Sequence, residues 1–411
     1  MSCITLQLGQ YGNQLGSSFL QSMLQQCSKE LLDYNNTFFR TSKSNPLLLI
    51  PRTILADLEP KVVETVAATQ SNYCKYDPTN MFCSAGGASN NWALGYFSSM
   101  ALHSIMDLVR REAERADNLS TIMLLQSLSG GTGSGLGSAL MEALADEFHD
   151  SFLLSQVIFP YSSGEVIVHS FNSALTLAKL LDCCDGVITA SNDTLSSIVS
   201  RSLHIKNPSF ADLNSLLSHN LGTVFFPGSN NLSLNQLVGN VFTNPGLKMA
   251  SVFVNPIIAS KVLEFTKNKW ETLISNQVQM VASGNMIGES VDYNRKDLIF
   301  SSAGNLWGNH SNHYVPLVQN CFSSKLSSSS PSHSCFGSCD QQFLGVEKLV
   351  GSLAVSSCQA DFLEPVCRRA SLLLSSNSYV HHYERYGIGG CELRNAIAVL
   401  ESVKGNYGDL R

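Results

Sequence analysis

The sequence predicts an α/β protein built on a doubly wound, mostly parallel sheet. Two observations carry the prediction. Through the first half of the chain short apolar strand patterns alternate with helical ones, and each strand hands over to a polar or glycine-rich segment, where sheets of this kind hold their ligands.

The elements follow in order. Cys3-Ile4-Thr5-Leu6-Gln7-Leu8 reads as a strand running into a loop, Gly9-Gln10-Tyr11-Gly12. Thr53-Ile54-Leu55-Ala56 reads as a second strand, closed at Asp57-Leu58-Glu59-Pro60 because proline brings no N–H to a ladder. Thr121-Ile122-Met123-Leu124-Leu125 leads into Ser129-Gly130-Gly131-Thr132-Gly133-Ser134-Gly135, after which Leu140-Met141-Glu142-Ala143-Leu144 continues as a helix. Phe210-Ala211-Asp212-Leu213-Asn214-Ser215-Leu216-Leu217 has helical spacing and meets the breaker Phe226-Pro227-Gly228, which predicts a long helix between two domains. From about Ala250 to Cys358 the periodicity is weak, and the polar run Ser323–Pro331 is expected to be a mobile loop without chemistry. Helical patterns return at Leu363-Glu364-Pro365-Val366-Cys367 and from Glu392 to Val403.

Composition narrows the function classes. A chain of 411 residues is expected to form two or three packed units, at about 100–200 residues each. Charged residues make up 14% against a usual ~25%, and hydrophobic ones 44%, which excludes a disordered charged chain. A net charge of −6 supplies no positive field for a phosphodiester backbone, so nucleic acid is not an expected partner. No apolar run approaches the ~18 residues of a membrane span, so no membrane insertion is expected. Met1-Ser2-Cys3 passes straight into a strand pattern without a basic and apolar leader, so the 12 cysteines are expected in the reducing cytosol. Cys3 is expected to pack in its strand, Cys183-Cys184 to fit an apolar helix end, and His381-His382 to point in different directions on a helix. His310, His313, Cys321, His333, Cys335 and Cys339 match no zinc-knuckle spacing, and no metal is expected there.

The glycine loop is the strongest chemical signal. Four glycines among small hydroxyl residues, after a strand and before a helix, let successive backbone N–H groups converge on an anion while the helix adds its positive end. Walker A spacing fails, because Leu136-Gly137 follows Gly135 where Lys-Ser/Thr is needed. The dinucleotide fingerprint fails too, its last glycine falling on Leu136 or Ser138. A glycine turn that binds nothing is the weaker alternative, since each glycine costs chain entropy.

The Ser129–Gly135 run resembles the signature loop of the tubulin family. Gly9-Gln10-Tyr11-Gly12-Asn13-Gln14-Leu15-Gly16 is similar to that family's first loop, Asp57-Leu58-Glu59-Pro60 to its metal-side loop, and Gly87-Ala88-Ser89-Asn90-Asn91-Trp92-Ala93 to its γ-phosphate loop. The resemblance covers residues 1–245 and returns at Tyr379-Val380-His381-His382-Tyr383. Glu59-Pro60-Lys61-Val62, Gly164-Glu165-Val166-Ile167-Val168 and Tyr386-Gly387-Ile388 look most like the delta branch. It implies a tubulin/FtsZ-like fold: a GTP-binding domain over 1–209, a connecting helix over 210–228, an intermediate α/β domain over 229–360 and C-terminal helices over 361–411.

Site roles follow from the same resemblance. It puts Gly130, Gly131, Thr132, Gly133 and Gly135 on the phosphates of GTP or GDP, with Ser127, Gln10 and Tyr11 beside them, and Ala88, Ser89 and Asn90 near the γ-phosphate. Tyr11 replaces a smaller residue and offers either a tighter floor or a hydroxyl donor. Asp57 and Glu59 are hard oxygen donors on one strand end, suited to Mg²⁺ directly or through water, although an isolated Asp-x-Glu is more often a solvated turn. Asn192, Phe210 and Asn214 would select guanine, Phe210 by stacking and Asn214 by hydrogen bonding. His169 stands where an acidic ribose contact is expected, with Glu165 the nearby compensating acid.

Hydrolysis in this family is completed by an acidic residue of the next subunit. The corresponding segment here, Gly228–Gln236, has none, and no Asp or Glu occurs between Asp212 and Glu264. Gln236 or Asn231 would orient water by hydrogen bonding without acting as a base. The chain is therefore expected to bind GTP yet activate a neighbour's GTP poorly. Its ending, Tyr407-Gly408-Asp409-Leu410-Arg411, lacks an acidic tail. The resemblance implies a cytoplasmic, cytoskeletal component of centrioles or basal bodies that partners α/β-tubulin or other tubulin-family subunits. A non-polymerising GTP-binding cap is the second reading, and a metabolic nucleotide enzyme the third.

Overall fold

A computed structural model describes residues 1–26, 37–42, 45, 48–69, 74–163, 167–228, 230–257, 268–284, 297–326 and 334–408. The chain divides into two compact units, one of Met1–Leu20, Asn35–Val187 and Asp361–Lys404, the other of Gln21–Tyr34, Ile188–Ala360 and Gly405–Arg411. The strands in chain order are β1 (Ser2–Leu8), β2 (Phe39–Thr41), β3 (Leu49–Pro51), β4 (Thr53–Asp57), β5 (Met81–Cys83), β6 (Leu119–Ser127), β7 (Phe152–Phe159), β8 (Gly186–Ser191), β9 (Met249–Asn255), β10 (Ile299–Gly308), β11 (Ser334–Cys339) and β12 (Lys348–Ser356).

In the first unit the order is β7-β6-β1-β4-β5, and every neighbouring pair is parallel, as the strand–loop–helix alternation predicts. The central strand β1 is buried along its whole length. That is why it reads as a near-continuous apolar run, with Thr5 satisfied by Thr53 at 2.6 Å between hydroxyl oxygens. Cys3 packs there fully buried. The helices Gly9–Gln26, Ser99–Ala113, Gly137–Glu147 and His169–Cys183 connect or follow these strands. The C-terminal helical patterns form Gln359–Ser375, which accommodates Pro365 inside it, and Gly390–Gly408.

Two local expectations are corrected. The polar loop expected at Gly9–Gly12 is instead the first turn of the helix Gly9–Gln26, because Gly9 makes the whole turn at φ +71°. His381 and His382 do not point apart. They sit on a one-turn helix, His381–Glu384, with ring centroids 4.2 Å apart, and Tyr379, itself at positive φ, stacks on His382 at 6.1 Å.

In the second unit the order is β11-β10-β12-β9-β8, with β12 antiparallel to both β9 and β10 while β10 and β11 run parallel. The predicted helix runs Phe210–Phe225. Ser209 and Asp212 open it with reciprocal hydrogen bonds to each other's backbone, and it ends before Pro227. Its last turn is held from β10, where Trp307 Nε1 donates to Thr223 O at 2.7 Å and Asn305 Nδ2 to Val224 O at 2.8 Å. Of the serine-rich run, Ser327–Pro331 lies outside the described residues.

Candidate functional site

The carboxyl ends of β1, β4 and β6 bring three loops of the first unit together. A Cβ on Gly9 would stand 3.1 Å from Gly133 N, which places the start of the first helix directly against the glycine loop. A Cβ on Gly131 would lie 2.6 Å from both the Cβ and the carbonyl oxygen of Ala88, and one on Gly135 would lie 2.0 Å from Trp92 O. No side chain fits at either position without prising the two loops apart. Gly130, by contrast, faces open space, with nothing within 4 Å of its Cβ position. Thr132–Leu136 forms a π-type turn that continues into the helix Gly137–Glu147, so a helix amino end begins at this loop.

The predicted residues take distinct places around this junction. Gln10 is exposed, and Ser89 and Asn90 are exposed on left-handed backbone at φ 46° and 52°, while Ala88 is buried. Ser127 is half-buried at the end of β6, its hydroxyl accepting the Ser129 N–H at 3.2 Å. Tyr11 is half-buried and its hydroxyl donates to Gln156 Oε1 at 2.9 Å. Its proton is therefore committed within the protein, and burial pushes the phenol well above its usual range.

Asp57 is buried and Glu59 exposed. Burial raises the Asp57 carboxyl to about 6, against the opposing pull of N–H groups of Leu58 and Glu59 and of Thr132. The Glu59 carboxylate oxygen Oε1 lies 3.2 Å from where a Gly87 Cβ would stand. Asp57 thus meets the glycine loop and Glu59 the loop 87–93, called the γ-side loop after its counterpart in the resemblance. A buried hard oxygen donor that gains from a nearby cation, with an acid and a hydroxyl at hand, fits Mg²⁺ chemistry. His169 opens the helix His169–Cys183 with its Nε2 3.4 Å from Arg369 Nη1, and Glu165 lies outside the described residues.

In the second unit Asn192 opens the helix Asn192–Ser202, half-buried. Phe210 and Asn214 stand four residues apart on the helix Phe210–Phe225 and so share one face, with Phe210 60% exposed and Asn214 buried. Asn231 donates from Nδ2 to Phe226 O at 3.0 Å, and Gln236 Oε1 accepts from Ser233 N at 2.9 Å and Ser233 Oγ at 3.0 Å. The Gln236 carbonyl that would orient water is thus occupied as a helix cap.

Sequence reasoning missed two buried asparagines. Asn13 Nδ2 donates to Gly9 O at 2.9 Å and to Ala56 O at 3.0 Å, tying the first turn to the end of β4. Asn172 Nδ2 donates to Asn90 O and Ser129 O, both at 2.8 Å, while its Oδ1 accepts from Trp92 N at 3.1 Å and from the Tyr383 hydroxyl at 2.6 Å. A lone asparagine on a helical pattern looks like a surface residue. Only the full burial of both reveals otherwise.

Comparison with known proteins gives the family. The family model for the Tubulin/FtsZ family, GTPase domain, matches residues 2–200, which include all three loops. The tubulin delta chain of Macaca fascicularis is 30% identical over 457 aligned positions spanning the whole of both chains, and that of Mus musculus is 29% identical over 458. The tubulin delta chain of Homo sapiens is 35% identical over 316 positions, 71% of this chain and 69% of the human one. Among the described residues no helix is long and apolar enough to cross a membrane. A domain of this type binds guanine nucleotide, and with full-length similarity to delta chains the protein belongs to the tubulin family.

Proposed function

We propose that this chain is a specialised tubulin-type subunit of centrioles or basal bodies that holds GTP or GDP and pairs with α/β-tubulin or another tubulin-family subunit. The observation that carries the reading is the three-loop junction, closed at Gly131 and Gly135 and open at Gly130. Gly130, Gly131, Thr132, Gly133 and Gly135 cradle the phosphates, with Gln10, Tyr11 and Ser127 beside them and Ala88, Ser89 and Asn90 at the terminal phosphate. Asp57 and Glu59 hold Mg²⁺, which neutralises phosphate charge when bound. Asn192, Phe210 and Asn214 take the guanine.

A second reading, a non-polymerising cap, draws support from the segment Asn230–Gln236, which carries no carboxylate and spends its Gln236 carbonyl on a cap. Co-sedimentation with α/β-tubulin separates the two. Bound chain that scales with polymer mass supports a lattice subunit, whereas saturation at the number of ends supports the cap. Calorimetric titration tests the nucleotide reading common to both: GTP binding preferred over ATP supports it, and equal or absent binding refutes it.

A further inference from the structure

Asn172 stands outside every loop that the nucleotide reading uses, yet its amide joins three segments of the first unit. An asparagine amide has two donor hydrogens and room for two acceptor bonds. Here all four are used, toward Asn90 O in the γ-side loop, Ser129 O in the glycine loop, Trp92 N at the start of the helix Trp92–Tyr96, and the Tyr383 hydroxyl in the C-terminal turn. The arrangement has one orientation only. A flipped amide would set its oxygen against two carbonyls and its NH₂ against an N–H, leaving buried groups unpaired at once. Asn172 and Tyr383 are both fully buried.

A second strand of contact runs beside the first. Asn91 caps the helix Trp92–Tyr96 through Oδ1, accepting from Ala93 N at 2.9 Å, and donates from Nδ2 to His382 O at 2.9 Å. The left-handed pair Ser89-Asn90 is thus held from behind at Asn90 O and Asn91, and both holds lead to Tyr379–Tyr383, whose His381 and His382 rings are exposed. Packed side chains and hydrogen bonds with discrete arrangements are the means by which two sites bias each other.

We propose that Asn172 is a positioning residue that sets the γ-side loop against the glycine loop and couples both to the Tyr379–Tyr383 turn, so that the turn responds to the terminal phosphate of the bound nucleotide. The inference rests on the proposed nucleotide site. By linkage, a partner that binds the exposed histidine rings more tightly in one nucleotide state than in the other changes the preference for triphosphate over diphosphate by the same factor.

The test uses the full chain. Tyr383→Phe removes one hydroxyl and keeps the ring that meets Phe171 edge-on at 5.6 Å. The ratio of GDP to GTP dissociation constants is expected to fall about fivefold, the value of one buried hydrogen bond, with ATP binding unchanged. Hydrogen exchange on the wild-type chain needs no variant: residues 379–386 are expected to exchange more slowly with a non-hydrolysable GTP analogue than with GDP. An unchanged ratio in a folded Tyr383→Phe chain, or equal exchange in the two nucleotide states, would overturn the coupling while leaving the nucleotide site intact. A wild-type chain that binds neither guanine nucleotide would overturn the site and the coupling together.

Discussion

Glu112 offers the sharpest test of how the first unit is held together. Its carboxylate is fully buried on the helix Ser99–Ala113, with Oε1 3.0 Å from Arg40 Nε and 3.7 Å from Arg52 Nη1, and Oε2 3.0 Å from Arg115 Nη1 and 2.8 Å from Asn80 Nδ2. Arg40 and Arg115 also reach Asp77, at 2.5 and 3.1 Å. Burial pushes the Asp77 carboxyl up, but the bonds from Thr79 and Arg40 outweigh it and hold it below its ordinary value. Glu112→Ala takes a shared buried carboxylate away from three guanidinium groups, Arg40 and Arg115 keeping Asp77, and breaking such a buried ion-pair network costs about 3–5 kcal/mol. With a urea slope near 3 kcal/mol/M, the unfolding midpoint of the first unit should fall by about 1–1.7 M. Glu112→Gln keeps the shape and some hydrogen bonds and should fall less. The control, Arg110→Ala, breaks exposed pairs with Glu147 and Asp107 and should leave the midpoint unmoved. A Glu112→Ala midpoint equal to wild type, or equal to that of Arg110→Ala, would show that the buried carboxylate does not hold the unit together.

Other outcomes are as specific. Gly131→Val drives a side chain into Ala88 and should abolish measurable GTP binding by calorimetry with the circular dichroism spectrum retained; normal affinity would show that the two loops need not touch. If Asn214 reads the base as proposed, Asn214→Ala should weaken GTP by about tenfold or more and ATP much less, because a buried amide that recognises guanine would be lost; equal losses would remove Asn214 from base selection. His219, packed edge-on to Phe343, has its imidazole lowered by burial from 6.5 to about 4. The unfolded chain therefore takes up this proton before the folded one does, and stability present above pH 6.5 is lost on going down to pH 4, by at most about 3 kcal/mol. His219→Leu should flatten that part of the stability profile of the second unit, and a profile parallel to wild type would contradict the assignment. In mixed assemblies, the chain should leave a neighbouring subunit's GTP hydrolysis unaccelerated in a phosphate-release assay, and acceleration would show that a group other than a carboxylate activates the water.

The first unit was legible because its central strands are buried on both faces and punctuated by loops of unusual composition. β1, β4 and β6 each read as apolar runs ending in Gly9, Asp57 and Ser129, and the structure extends rather than moves them. Gly9 misled in one respect, since a glycine after a strand looks like a loop and here turns the chain straight into a helix. The second unit was opaque for a physical reason. Its strand β10 is buried throughout yet contains Ser301, Ser302, Gly304 and Asn305, so neither alternation nor an apolar run betrays it. Its antiparallel partners β9 and β12 come from segments far apart in sequence, and no local signal encodes that pairing. Around the candidate site the glycines were legible and their supports were not. Gly131 and Gly135 stand out by composition, whereas Asn13 and Asn172 become visible only when burial and their carbonyl partners are known.

The most direct measurement is to release and identify by chromatography whatever nucleotide the purified chain carries, and then to compete GTP against ATP and NAD for the emptied site. The account predicts GTP or GDP in the released fraction and displacement by GTP alone at micromolar concentrations. An adenine nucleotide in that fraction, or a chain that neither carries nor binds guanine nucleotide, would contradict it.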